Sequence, residues 1–373
     1  MLGSPFAGTQ RNTDWKRIVT DEKIGRKRTP TTSRAAAAAG SEERNVGMRE
    51  IAERAKVTKM TVSRALRAPS KVAEKTLKRI HAAMEEMGYV PNHLAGALST
   101  RTSRIVVVIV PSLADSIFAS FLEELVASLD AAGYTPVFGS SNFDSEYEER
   151  LLYKYLGWHP SAIVLTGDSQ TPRAKEFCRR SGIPIVQTWS LPENPIGSVV
   201  GFSNEDGTYR MTKAVLGWGH RRIGFGYINT PPNNDRTIAR LNGWRRAMVE
   251  AYGDIPGTMS VGGPFSRESG GAMVRYLLER HPDLDAIVFG SDVLAVGALT
   301  ECRRLGIRVP QDLAITGFGD MGLATVSTPQ LTTVRIPTRE VGRVCAETIK
   351  RLVVDPTPTV ERLELEIVRR ESA

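Results

Sequence analysis

Cysteine and histidine are scarce in this chain, at three and five among 373 residues. Cys178, Cys302 and Cys345 stand far apart and are odd in number. They suit neither a disulfide framework nor a zinc site, and they point to a reducing cytoplasm. The histidines (His81, His93, His159, His220 and His281) are scattered. No acid/base pair, nucleophile elbow or phosphate loop accompanies them, so enzymatic chemistry has no visible carrier. His220 is read as a structural residue of a turn. No apolar run approaches the ~18 residues needed to span a bilayer, and no short apolar core follows a positive start. Neither an integral membrane protein nor a secreted one is therefore expected. Hydrophobic residues at 41% and charged residues at 24% exclude a disordered or collagen-like chain.

What is present is a charge imbalance along the chain. Residues 1–104 hold 21 Lys and Arg against 10 Asp and Glu, whereas residues 105–373 hold 28 against 31. A basic head on a slightly acidic body suggests a polyanion-binding module joined to a part with another task. At ~100–200 residues per domain, the length allows two or three domains.

Residues 1–45 lack apolar periodicity, carry Arg26-Lys27-Arg28 and the alanine run Ala35–Ala39, and read as a disordered extension, with Met48 an alternative start. Order is expected from Val46. Met48-Arg-Glu-Ile-Ala52 opens one short helix, Ala55-Lys-Val57 makes a turn, and Thr58 is the expected N-cap of a second helix reaching Leu66. A third helix places Leu77, Ile80, Met84 and Met87 on one face and stops at Gly88. The second helix buries Val62, Ala65 and Leu66, so its first turn presents Lys59, Met60, Ser63 and Arg64 outward. A recognition helix enters the major groove by such residues.

From Arg104 the rhythm becomes strand–helix–strand. Buried strands are expected at Ile105–Val110, Pro136–Gly139, Ala162–Thr166, Ile185–Thr188, Ile223–Tyr227, Ala286–Phe289 and Ala314–Gly317. Apolar runs separated by long intervals are the pattern of parallel sheets with crossover helices. About 270 residues exceed one comfortable sheet, so two lobes are expected, with ligands beyond the carboxyl ends of the strands.

The run Met48-Arg-Glu-Ile-Ala-Glu-Arg-Ala-Lys-Val-Thr-Lys-Met-Thr-Val-Ser-Arg-Ala-Leu66 resembles the headpiece of the lac/purine repressor (LacI/GalR) family. Gly88-Tyr-Val-Pro-Asn-His-Leu-Ala-Gly-Ala-Leu98 resembles that family's hinge helix. The likeness continues through Gly219-His-Arg-Arg-Ile-Gly224, Arg240-Leu-Asn-Gly-Trp244, Ser291-Asp-Val-Leu-Ala-Val-Gly297, Val309-Pro-Gln-Asp312 and Pro329-Gln-Leu-Thr-Thr333. Val57–Arg64 and Gly317-Phe-Gly-Asp320 are similar to the branch containing the gluconate-operon repressor. The resemblance implies an all-α helix-turn-helix headpiece at 46–103, with a hinge helix at 91–99. It implies a two-lobed α/β effector and dimerisation domain of the periplasmic-binding-protein type, with doubly wound parallel sheets, at 104–373.

By that resemblance Lys59 and Met60 read bases, Lys pairing with guanine acceptors and Met touching a thymine methyl. Arg64 reaches a base or phosphate, while Thr58, Thr61 and Ser63 are phosphate anchors or caps. Leu98 occupies the minor-groove wedge position, and the hinge folds when a dimer sits on DNA. The sequence departs from the family at Gly96 and Ser99, which should weaken the hinge and remove a phosphate contact. In the body, Arg240 matches the effector-clamping arginine. Ile117 and Phe118 pack on effector or core, and Phe265 matches a stacking aromatic. Ser291 is the better ligand candidate beside Asp292, a potential helix cap. Asp168, Asp235, Arg236 and Asp320 complete the candidates. Gly319 stands where much of the family has an Asp. Loss of that carboxylate beside Arg240 favours an anionic effector, because an unpaired buried charge is costly.

These readings converge on a cytoplasmic, nucleoid-associated homodimer that represses transcription at a palindromic double-stranded operator. A small-molecule effector, a sugar acid such as gluconate or a ketogluconate, would control it, without cofactor, metal or membrane. A solute-binding protein and a sugar-processing enzyme sharing the body fold are the competing readings.

Overall fold

In a computed structural model, residues 46–90, 103–114, 116–228, 234–253 and 260–373 are described. The expected extension at 1–45 and the expected hinge helix with Leu98 and Ser99 lie outside these residues. The chain divides into two compact units between Pro91 and Asn92.

The first unit packs three helices, α1 (Met48–Arg54), α2 (Lys59–Arg67) and α3 (Glu74–Glu86), around Ile51, Val62 and Ile80. These three side chains have no exposed surface. The turn between α1 and α2 depends on Lys56, whose φ is +51°. Arg79 of α3 donates to the carbonyls of Ala55 and Lys56, satisfying groups that the end of α1 leaves open.

The second unit contains two lobes. In lobe 1 the chain runs β1 (Ile105–Val110), α4 (Ser116–Asp130), β2 (Thr135–Ser140), α5 (Ser145–Leu156), β3 (Ala162–Thr166), α6 (Pro172–Ser181), β4 (Ile185–Thr188) and β5 (Ser198–Gly201). Lobe 2 follows with α7 (Asn204–Gly217), β6 (Ile223–Ile228), α8 (Asp235–Tyr252), β7 (Ser260–Gly263), α9 (Arg267–Arg280), β8 (Ala286–Phe289), α10 (Asp292–Leu305), β9 (Ala314–Gly319), α11 (Gly322–Val326) and β10 (Thr332–Arg335). The chain then returns through α12 (Thr338–Val354), which packs on α4, and β11 (Val360–Arg362), before β12 (Glu366–Val368) ends in lobe 2.

The strand orders are β11-β5-β4-β3-β1-β2 and β12-β10-β9-β8-β6-β7. Every pairing is parallel except that of β12 with β10. Helices cover these sheets, so the strands read as continuous apolar runs, such as Ile-Val-Val-Val-Ile-Val in β1. All seven expected strands are present, three of them extended by one or two residues. The short strands β5, β7, β10, β11 and β12 were not expected. In β5 and β10, Ser198, Thr332 and Thr333 are buried, so tertiary packing supplies what local hydrophobicity does not. The three cysteines are buried free thiols, and burial raises their pKa values.

A DNA-reading helix and an effector cleft

Thr58 defines where α2 begins. Its Oγ1 accepts from the Thr61 amide at 3.2 Å and pairs with the Thr61 hydroxyl at 2.9 Å. Thr58 therefore caps the helix, and its hydroxyl is held in place by that of Thr61. Lys59 and Met60 follow at once and point outward, Met60 with 70% of its surface exposed. Arg64 is exposed one turn later, Ser63 is half-buried, and Val62 and Ala65 face the core. A methionine so exposed in the first turn of a helix has no packing task within the headpiece.

The cleft lies beyond the carboxyl ends of strands in both lobes. Lobe 1 contributes Ile117, Phe118, Phe143 and Trp189, and lobe 2 contributes Ile228, Asn234, Arg236, Thr237, Arg240, Phe265, Ser291, Phe318 and Met321. Among these described residues are two arginines and no carboxylate. The inner chamber they enclose is about 60 Å³.

Arg240 is held on three sides. Its Nε donates to Asn204 Oδ1 at 2.9 Å, its Nη1 to the Gly290 carbonyl at 2.7 Å, and its guanidinium carbon lies 4.0 Å from the centre of the Phe318 ring. Asn204 in turn donates through Nδ2 to the Trp189 carbonyl at 2.8 Å, linking the arginine to the opposite lobe. Trp189 adopts a φ of +71°, an outlier for a bulky side chain. Phe118 packs edge-on against its ring at 4.7 Å. Sequence reasoning missed Trp189, Phe143, Asn234, Thr237 and Asn204. The signal for Trp189 was present, since it is an aromatic directly after a predicted strand.

Asp235 and Arg236 open α8 and lean on the lobe-1 loop after β3. Asp235 accepts from the Asp168 amide at 2.9 Å and from Ser169 Oγ at 2.8 Å. Gly167 leaves room for this approach: a Cβ there would sit against the Arg236 guanidinium and 2.8 Å from Asp235 Oδ1, and its φ is +76°. Behind the clasp, Glu148 is buried and accepts from Gln170 Nε2 at 3.0 Å. Burial pushes its pKa up to about 7, against the pull of Gln170 and Arg236.

Three candidates take other places. The Asp320 carboxylate accepts from Arg335 Nε at 2.7 Å and Arg370 Nη2 at 2.6 Å, so it ties lobe 2 together and does not line the cleft. The Asp168 carboxylate pairs with Lys175 at 2.8 Å and also lies outside the lining. Asp292 is not the cap of α10. Ser291 is, accepting from the Val293 amide at 3.3 Å, while Asp292 accepts from the Met321 amide at 2.7 Å and Thr333 Oγ1 at 2.5 Å. Burial raises the Asp292 pKa to about 6. Ile117, Phe118, Arg236, Arg240, Phe265 and Ser291 come together around the inner chamber.

Residues 47–92 match the family described as bacterial regulatory proteins, lacI family, and residues 212–373 match the periplasmic binding protein-like domain. The HTH-type transcriptional regulator GntR of Escherichia coli (strain K12) is 35% identical over 318 residues, covering 85% of this chain and 95% of that protein. The chain belongs to the LacI family. The GntR regulator of Pseudomonas aeruginosa is 34% identical, covering 87% of this chain and 95% of its own. A LacI-family transcriptional regulator from Silicibacter pomeroyi has a crystal structure similar to this one, with a TM-score of 0.79 and 32% identity, covering 88% of this chain and 99% of that one. This LacI-family member is a DNA-binding transcriptional regulator with a helix-turn-helix headpiece and a two-lobed periplasmic-binding-like domain. No described helix is long and apolar enough to cross a membrane.

Proposed function

We propose that this regulator is a homodimeric repressor of a palindromic operator, and that a sugar acid such as gluconate or a ketogluconate controls it. The observation that carries the effector assignment is the inner chamber lining, with Arg236 and Arg240 and no described carboxylate. A carboxylate ligand would accept hydrogen bonds from the guanidinium groups of Arg236 and Arg240, whose planar forks suit its two oxygens. Relatives named GntR and IdnR, at 35% and 30% identity, accord with this branch of the family. A 29%-identical relative, CelR, has been solved as a cellobiose complex, so the fold also serves neutral sugars. Here the paired arginines favour the acid.

On the DNA side, Lys59, Met60 and Arg64 are the base-reading candidates, with Thr58, Thr61 and Ser63 at the phosphates or as caps. Leu98 and Ser99 remain the proposed hinge contacts. Effector and operator would be coupled because each favours a different arrangement of the lobes.

The test pairs a gel shift on palindromic DNA from upstream of the gene with calorimetry. Gluconate should bind the protein and change operator affinity, and glucose should give no comparable heat. Equal weak heats, or a preference for glucose, would refute the sugar-acid reading.

A further inference from the structure

Glu148 and Gln170 stand behind the contact that Asp235 makes with the β3–α6 loop, and neither lines the cleft. Both side chains are buried. Gln170 Nε2 donates to Glu148 Oε1 at 3.0 Å and to the Thr166 carbonyl at 3.4 Å, while its buried Oε1 has no partner among the described residues. The bond to Glu148 therefore holds Gln170 in place. Thr171 is held in the same way, donating through Oγ1 to Glu149 and accepting from the Ala174 amide at the start of α6. Two successive carboxylates of α5 thus fix two successive residues of the loop. Ser169, which meets Asp235, directly precedes them.

The charges around Glu148 divide between the lobes. In lobe 1, Glu149 pairs with Arg173 at 3.4 Å and Asp168 with Lys175 at 2.8 Å. Arg150 is exposed over the Tyr147 ring, and the Cys178 thiol, pushed up to about 12, stays neutral. Lobe 2 supplies Arg236, which attracts the ionised Glu148, and Asp235, which repels it less strongly. The burial that raises the Glu148 pKa to about 7 is imposed by α5, α6 and the loop of lobe 1, so it persists when the lobes part. Opening withdraws Arg236 and Asp235 together and removes a net attraction. Glu148 therefore holds its proton more tightly in the open arrangement than in the closed one.

We infer that Glu148 and Gln170 are positioning residues for the contact between the lobes, and that loss of the Glu148 proton favours closure, so that an effector which closes the lobes binds more tightly as pH rises. This rests on the proposed coupling of effector to lobe arrangement and not on the effector's identity.

Calorimetry on the full chain with gluconate at pH 6 and pH 8.5 tests it, since a sugar carboxylate is ionised throughout that range. Affinity should rise about three- to tenfold between the two. Glu148→Gln has no proton to lose and should lack this rise, whereas a residue that only packs would change affinity equally at both pH values. Asp292, raised to about 6 by burial, is present in both proteins, so the difference between them belongs to Glu148. Gln170→Ala should weaken gluconate at both pH values by freeing the loop. The same rise in Glu148→Gln as in the native chain, no rise in either, or unchanged affinity in Gln170→Ala would overturn the inference. Absence of gluconate heat at both pH values would sink the sugar-acid reading, and small-angle scattering of the ligand-free chain then decides. Its radius of gyration should shrink from pH 6 to pH 8.5 in the native chain but not in Glu148→Gln, and equal radii in the native chain would overturn the role of Glu148.

Discussion

Ser169 Oγ and Asp235 Oδ1 meet at 2.8 Å across the cleft, one from the loop after β3 and the other from the first turn of α8. With the Asp168 amide on the other carboxylate oxygen, this is a hydrogen-bonded clasp between the lobes.

Asp235→Ala should loosen lobe closure. Each hydrogen bond to a charged acceptor is worth about 1.5–3 kcal/mol, so effector affinity should fall at least about tenfold. Gly167→Ala should act in the same direction, because its Cβ meets the Arg236 guanidinium and its φ is left-handed. A larger radius of gyration by small-angle scattering is expected for both. Unchanged scattering and affinity would show that the clasp does not govern closure.

Arg240→Lys should abolish most effector binding while sparing operator binding in the absence of effector. A lysine cannot reach Asn204, Gly290 and the face of Phe318 together. Asn204→Ala should lower effector affinity by roughly 5- to 150-fold, through the loss of about 1–3 kcal/mol of buried hydrogen bonding. Calorimetry and gel shifts on the same preparations separate the two effects.

In the headpiece, Thr58→Ala should cost about 1 kcal/mol of stability by removing the cap of α2, read as a lower melting temperature. Lys59→Ala should reduce discrimination between operator and random DNA, and all binding should weaken steeply with salt. Equal weakening on specific and random DNA would make Lys59 a phosphate contact.

Glu148 makes stability depend on pH. Its pKa rises from 4.5 to about 7 on folding, so the folded state binds the proton more tightly than the unfolded chain. Its contribution is full below about pH 4.5 and is lost as pH rises to about 7. Glu148→Gln keeps a neutral side chain at every pH. It should leave stability near pH 4.5 unchanged and raise it by a few kcal/mol at pH 8. A parallel pair of stability–pH curves would contradict this assignment.

Local pattern made much of the architecture readable. Apolar runs such as Ile105–Val110 and Ala162–Thr166 are strands wherever helices cover both faces of a sheet, and both appear with the expected bounds. Thr58 was legible as a cap because an N-cap needs only its own side chain and the next three residues. Asp320 was misread because its two arginine partners are 15 and 50 residues away, at positions 335 and 370. Nothing in Gly-Phe-Gly-Asp announces them.

The amino-acid order alone decided the three-helix head, the rhythm of parallel strands and the family, since each depends on neighbours within a few turns of chain. Folding decided which chemistry faces the ligand. Arg236 joins Arg240, Trp189 backs the same cavity, and Asp168, Asp292 and Asp320 turn away into ion pairs and buried hydrogen bonds. Long-range pairing of charges sets those orientations, and it is invisible until distant segments are brought side by side.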